Sequence, residues 1–297
     1  MSPLTQLRNF MSQYRGSPLG IKFVIALYNT FGYAAAKKVV SLVSLFYALV
    51  SRAKRQEMES FYKNVGLTNS FKTYFRHIYA FSLTIFDRFI SKEGMQKELE
   101  VERINIKAFE SLQKTGGMMI FSHHGNWAQS FKIFQTYDIT LNIIGDEAID
   151  ENLHAIEGET QNRRINIISL KNGMQAMLDI ARALQNNEVV IIMVDRVKEL
   201  EKTVEVDFLG VKTLLHSGGF EIAMMRKAPI VACDIIRAGD QHIKIEFSDL
   251  IVSEKKNKKE KLADLAQQYA DFLSGRVQAY PYQWFNFFDF WDNLKAK

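Results

Sequence analysis

Met118-Met119-Ile120-Phe121-Ser122-His123-His124-Gly125-Asn126-Trp127-Ala128 carries the reading of this chain. An apolar run ends in a histidine pair and a Gly-Asn turn, and a helix-compatible segment starts near Trp127. Strand, tight turn and helix in that order are the repeating unit of an α/β fold. A histidine at a strand end, ahead of a turn, stands where a substrate can reach it. Its neutral imidazole can take a proton from a hydroxyl as that oxygen attacks an activated carbonyl.

The same texture recurs along the chain from residue 99. Short apolar, β-branched runs fall at 118–121, 141–144, 165–170, 189–194, 230–236 and 242–247. Helical patterns lie between them, clearest at 174–185 and 222–226. The alternation predicts an α/β core with a largely parallel or mixed central sheet flanked by helices. Ala238-Gly239-Asp240 between the last two runs predicts a hairpin at one edge. The charged run 255–261 opens an amphipathic helix over 259–273. Residues 1–90 show no strand alternation, and aromatic residues three and four apart over 60–90 mark a helix packed on the core. Two regions follow: 1–95, helical and membrane-associating, and 96–297, the α/β core.

Composition narrows the class. The 297 residues are 47% hydrophobic and 24% charged with four prolines, which fits a globular chain and excludes long disordered linkers. The single cysteine, Cys233, excludes an internal disulfide and lies in an apolar run, as a buried, inert thiol does. A net charge of +5 favours acidic partners: anionic lipid headgroups or an acidic carrier protein. No nucleic-acid-binding motif is present, and residues 1–15 lack a secretory signal. The six histidines show no metal-ligand spacing, so neither a metal nor another cofactor is expected. Residues 21–50 are apolar and aromatic, but Lys37 and Lys38 interrupt them. The uninterrupted piece 39–50 falls short of the ~20 residues that span a bilayer. With Arg52, Lys54 and Arg55 behind it, residues 20–52 read as one or two helices lying on or partly in an anionic bilayer. Packing on the core of the same chain is the other reading, and the two are compatible.

His123-x-Gly125-Asn126-Trp127, with Ser122 before it, resembles the His-x-Gly-Asn-Trp signature of the lysophospholipid acyltransferase superfamily, nearest its bacterial lipid A late acyltransferase branch. Asp195-Arg196 at a strand end, followed by Val204-Glu205-Val206-Asp207-Phe208-Leu209-Gly210, matches the order of elements in that branch. The aromatic ending, Tyr282-Gln283-Trp284-Phe285-Asn286-Phe287-Phe288-Asp289-Phe290-Trp291, is similar to that of acyltransferases from aryl polyene and flexirubin pigment clusters, as is the Arg15-Gly16-Ser17 start. That ending reads as a cap on the core, or as a rim that shields an acyl chain. The resemblance implies a membrane-associated O-acyltransferase at the cytoplasmic face of the bacterial inner membrane. It would move a fatty or aryl polyene acyl group from a carrier thioester (acyl-carrier protein ahead of acyl-CoA) to a hydroxyl of a lipid or glycolipid.

By the same resemblance His123, rather than His124, is the general base, and Gly125, Asn126 and Trp127 line the substrate site. The family's Pro-x-Gly-Pro loop is replaced by Leu215-His216-Ser217-Gly218-Gly219-Phe220. Backbone N–H groups at Gly218 and Gly219, or the Arg196 guanidinium, are candidates for stabilising an oxyanion. One position departs. The family carries an acid five residues after its histidine, and here that residue is Ala128. Asp195 is the first candidate for a replacement acid. Gln129 stands behind it, though Asn126 and Gln129 also fit a helix-capping pair. A homologue with little or no turnover that binds acyl chains, or scaffolds a biosynthetic complex, is the competing reading.

Overall fold

The computed structural model describes residues 18–92, 100–127, 133–134, 137–145, 164–197, 202–254 and 257–294. The expected boundary between 95 and 96 falls outside them, as do Ala128 and Gln129. A mixed seven-stranded sheet is built from β1 (Glu100–Ile104), β2 (Gly117–Phe121), β3 (Leu141–Gly145), β4 (Ile165–Ser169), β5 (Val189–Met193), β8 (Ile230–Arg237) and β9 (His242–Asp249), ordered β1-β9-β8-β2-β5-β3-β4. Its neighbours are parallel except β8 and β9, which form the expected antiparallel hairpin. Strands β6 (Thr203–Phe208) and β7 (Val211–His216) pair separately as a second hairpin.

Period-two alternation assigns the two faces of the sheet. Met118, Ile120, Val190 and Ile192 join one buried cluster with Ala176 and Ile180 of α6 (Met174–Gln185), Phe220 and Ala223 of α7 (Gly218–Arg226), and Leu265, Tyr269 and Leu273 of α8 (Lys258–Ala279). Met119, Phe121 and Ile191 face the other way, onto Phe109 and Leu112 of α5 (Ile106–Thr115). Helix α8 starts in a reciprocal cap between Asn257 and Glu260 and ends just before Pro281. Three elements were not foreseen. β1 is a polar edge strand with no apolar run. β6 and β7 lie between the apolar runs 189–194 and 230–236, where no strand was expected, and the loop expected over 215–220 is the end of β7 and the start of α7.

The N-terminal region is helical: α1 (Pro18–Val50), α2 (Arg52–Glu57), α3 (Glu59–Asn64) and α4 (Phe71–Lys92). Lys37 and Lys38 do not interrupt α1. The break is at Gly32, whose φ of 78° and ψ of −177° kink the helix. Phe23–Val50, 28 residues, is long and apolar enough to cross a membrane by length and composition. It is nonetheless laid along the protein. Ala36 and Val40 pack with Leu83, Phe86 and Ile90 of α4, Tyr33 donates to Asp87, and Lys37 pairs with Asp240 in the β8–β9 turn at 2.7 Å. The opposite side leaves Leu42, Phe46 and Leu49 exposed.

The C-terminal segment caps the core. Trp284 and Phe290 are buried against Phe208, and Trp291 stacks on the same ring. His77 of α4 pins it: Nε2 donates to the Trp284 carbonyl at 2.5 Å, and Nδ1 accepts from the Tyr62 hydroxyl at 3.1 Å. Burial lowers His77 from the ordinary 6.5 to about 3, so the ring is neutral in the fold. The unfolded chain takes up this proton below pH 6.5, and the native chain does so only near 3. Stability is therefore complete above pH 6.5 and is lost as pH falls through that window, at ~1.4 kcal/mol per unit from this residue. As pH is lowered from 7 to 4, urea midpoints should fall steeply for the native sequence and less steeply for His77→Gln, which keeps a donor but does not titrate.

Candidate active site

Parallel pairing of β2 with β5 builds the site. Their last registered pair is Phe121 with Met193; two residues on come His123 and Asp195. From β2 the chain leaves toward β3, and from β5 it goes on to β8 on the other side of β2. The crevice beyond two strand ends, where connections diverge, is the common ligand position of open α/β sheets.

The two side chains meet there. His123 Nδ1 lies 2.9 Å from Asp195 Oδ1, and the His123 backbone N–H donates to Asp195 Oδ2 at 2.9 Å. Asn286 Nδ2 donates to the same Oδ2 at 2.7 Å. The Asp195 side chain is fully buried while the imidazole keeps 17% of its surface. Burial drives the carboxyl up, but the charge and hydrogen bonds of His123, with the Asn286 bond, outweigh it and hold Asp195 below the usual carboxylate range. An ionised carboxylate at Nδ1 fixes the N–H there and leaves Nε2 with the lone pair. Nε2 has no partner among the described residues, and the Trp127 indole stands edge-on, 6.1 Å between ring centroids.

His124 is held differently. Its Nδ1 faces Asp234 Oδ1 at 3.0 Å and its Nε2 faces the Tyr280 carbonyl at 3.1 Å, with 1% of the residue exposed. Both nitrogens meet acceptors, so neither offers a lone pair to a substrate. Asp234 also accepts from Arg276 at 3.1 Å, and Arg276 reaches Glu246. The adjacent histidines thus carry opposite exposures at one strand end.

Gly125 and Asn126 shape the turn. Gly125 has a φ of 68°, and a Cβ there would lie 2.0 Å from the Ile235 carbonyl oxygen. Its N–H donates to the Gln283 carbonyl, and that of Asn126 to the Ile235 carbonyl. Asn126 is fully buried, its amide 3.5 Å from Asp87. Of the three residues expected to line the substrate site, Trp127 is the one beside the imidazole. Gly219 presses on Ile192 and Ile120, where a Cβ would come within 2.7 Å of Ile192 Cγ2. Gly218 N–H donates to His216 Nδ1 at 3.2 Å, which commits one of the two expected oxyanion donors. The His216 N–H meets the Val194 carbonyl, so this junction sits beside the end of β5. Arg196 is drawn to the C-terminal segment: Nε donates to Asn286 Oδ1 at 2.9 Å and Nη2 to the Phe285 carbonyl at 3.2 Å.

The family model for bacterial lipid A biosynthesis acyltransferases matches residues 67–292, which takes in both strand ends and the C-terminal segment. The chain belongs to that family. Membership assigns it, in general terms, to acyl transfer onto a lipid. No curated protein matches the chain. Among the described residues no group of three or more histidine, cysteine or acidic side chains could hold a metal. Asn286 and the Asp234 partner of His124 were not anticipated. Gly125 admits no substitution at this turn. Gly125→Ala should destabilise the fold by ~3 kcal/mol or more, read as a lower urea midpoint at unchanged slope.

Proposed function

We propose that the chain is a membrane-associated O-acyltransferase with a His123–Asp195 dyad at its centre. The observation that carries this reading is the 2.9 Å contact between His123 Nδ1 and a buried, ionised Asp195, with Nε2 directed away from it. Nε2 takes the proton of an acceptor hydroxyl as that oxygen attacks the thioester carbonyl. Collapse of the tetrahedral intermediate breaks the C–S bond, and the imidazolium returns the proton to the leaving thiolate. Asp195 holds the ring's orientation and steadies the imidazolium, the task of the acid in a catalytic triad. It does so from β5, which accounts for an alanine at position 128. The N–H groups of Gly219 and Phe220, in the first turn of α7, have no intrahelical acceptor and suit the developing oxyanion.

The donor is a carrier thioester, acyl-carrier protein ahead of acyl-CoA. The acceptor is a lipid or glycolipid hydroxyl, and the acyl group is fatty or aryl polyene. The competing reading, an acyl-binding homologue without turnover, rests on Ala128 alone. Purified chain supplied with acyl-carrier thioester and glycolipid should release free carrier thiol. His123→Ala should lower that rate ~10²–10⁴-fold, and Asp195→Asn by a similar factor. His124→Ala should instead cost ~3 kcal/mol of stability, by taking a partner from buried Asp234, and leave the folded fraction active. Absence of turnover with any acyl carrier, together with retained acyl-chain binding, would favour the competing reading.

Membrane attachment is assigned to the exposed side of α1 and the basic residues after it, at the cytoplasmic face of the inner membrane. Support comes from Phe46 and Leu49, 57% and 62% exposed, next to Arg52 and Lys54. Tyr33, Ala36, Lys37 and Val40 are engaged by the protein, so α1 lies along a surface rather than threading through it. Co-sedimentation with vesicles containing phosphatidylglycerol should drop by well over tenfold for the triple change Leu42→Ser, Phe46→Ser, Leu49→Ser, since losing the burial of even one such side chain, ~1.5–3 kcal/mol, is worth a factor of about ten or more. High salt should weaken it further.

A further inference from the structure

The turn that carries His123 is bonded residue by residue to the C-terminal segment. His123 O accepts from Phe285 N–H at 2.8 Å, His124 forms an isolated antiparallel bridge with Trp284, and Gly125 N–H donates to the Gln283 carbonyl at 2.8 Å. Arg196 and His77 tie the segment down on either side, at the Phe285 and Trp284 carbonyls. At the centre of these ties Asn286, fully buried, places its amide nitrogen on Asp195 Oδ2 and its amide oxygen on Arg196 Nε. Arg196 Nε is a donor only, so the amide must present its oxygen to arginine and its NH₂ to the carboxylate. The orientation is fixed without ambiguity. A cap that merely covered the core would need no amide there.

We propose that Asn286 is a positioning residue that locks the Asp195 carboxylate against His123, which makes the C-terminal segment a working part of the active site. The proposal rests on the His123–Asp195 dyad. Oδ2 then receives two N–H donors, from Asn286 and the His123 backbone, and among the described residues Oδ1 meets the imidazole alone. A carboxylate so held cannot rotate to share its oxygens. It also attracts the His123 proton less strongly than a bare carboxylate, because part of its charge is neutralised by the amide. The other groups around the dyad are Tyr269 of α8, whose hydroxyl burial and the Asp195 charge keep neutral, and Arg196, which acts through the amide.

The test is the titration of His123 itself, in the full-length protein. Diethyl pyrocarbonate acylates neutral imidazole, and the modification rate at the His123 peptide, followed by mass spectrometry against pH, gives its midpoint. Asn286→Leu keeps the size of the side chain but removes the donating NH₂ without adding a charge. The Asp195 carboxylate then binds the His123 proton harder, and the midpoint should rise by about half to one pH unit. Asn286→Ala should raise it in the same direction, and Asn286→Ser, which still donates, should return it toward the native value. Asp195→Asn removes the charge and should lower it. If both Asn286→Leu and Asn286→Ala titrate as the native protein does, whatever their melting temperatures, while Asp195→Asn lowers the midpoint, the role of Asn286 is overturned and the dyad stands. If Asp195→Asn leaves the midpoint unmoved, the dyad reading fails, and the role of Asn286 fails with it.

Discussion

A carboxylate cut off from water stays ionised only where N–H groups replace its lost hydration. At Asp195 those groups come from two remote stretches of chain. The backbone and ring of His123 arrive at the end of β2, and the amide of Asn286 arrives from the C-terminal segment. Neither stretch is near Asp195 in sequence. They converge because β2 and β5 are parallel neighbours in register and because the last aromatic residues fold back over the sheet's carboxyl end. Losing any donor leaves buried charge short of a partner, which costs about 3 kcal/mol or more where a partner is removed outright. The demands of one buried group therefore tie the register of the central sheet to the docking of the chain's end.

Much of this was legible in the sequence, and the parts that were not share a cause. Apolar runs located six of the sheet's seven strands, the β8–β9 hairpin among them, because a buried strand advertises itself by composition. β1 was missed because an edge strand needs only backbone pairing, and Glu100, Glu102 and Arg103 give it a polar texture. Strand order was invisible: nothing in the spacing of 121 and 193 says that β2 lies beside β5. Asp195 could be named as a carboxylate at a strand end, but its neighbour could not be deduced. Asn286, inside an aromatic run, gave no signal at all. An asparagine between Phe285 and Phe287 reads as an interruption of an apolar stretch until the structure shows what it touches.

The two histidines show how position decides chemistry. Both are one hydrogen bond from a buried aspartate held below its ordinary range. Aspartate contact alone cannot then mark a catalytic imidazole. What separates them is the second nitrogen. His124 spends Nε2 on the Tyr280 carbonyl, which fastens the start of the C-terminal segment, while His123 keeps Nε2 clear of every described partner. One strand end thus yields a clamp and an imidazole with one nitrogen unengaged by the described residues, because successive residues of an extended chain point to opposite sides.

The same economy explains why α1 lies where it does. An apolar helix with no polar side would be as comfortable in lipid as on protein. Tyr33 and Lys37 remove that indifference, since hydrocarbon offers neither the Asp87 nor the Asp240 carboxylate that they meet. Their partners are themselves joined through Arg237, which reaches Asp87 at 2.8 Å and Asp240 at 2.7 Å. Asp87 in turn neighbours Asn126, three residues past His123. Gly32, by kinking the helix just before Tyr33, lets the second half follow α4 closely enough to make these contacts. The polar residues thus choose which side of α1 faces the protein, and the apolar remainder is left outward as a consequence. The exposed side of α1 and the turn that carries His123 are thus fastened, through Tyr33 and Asn126, to the same buried charge on Asp87.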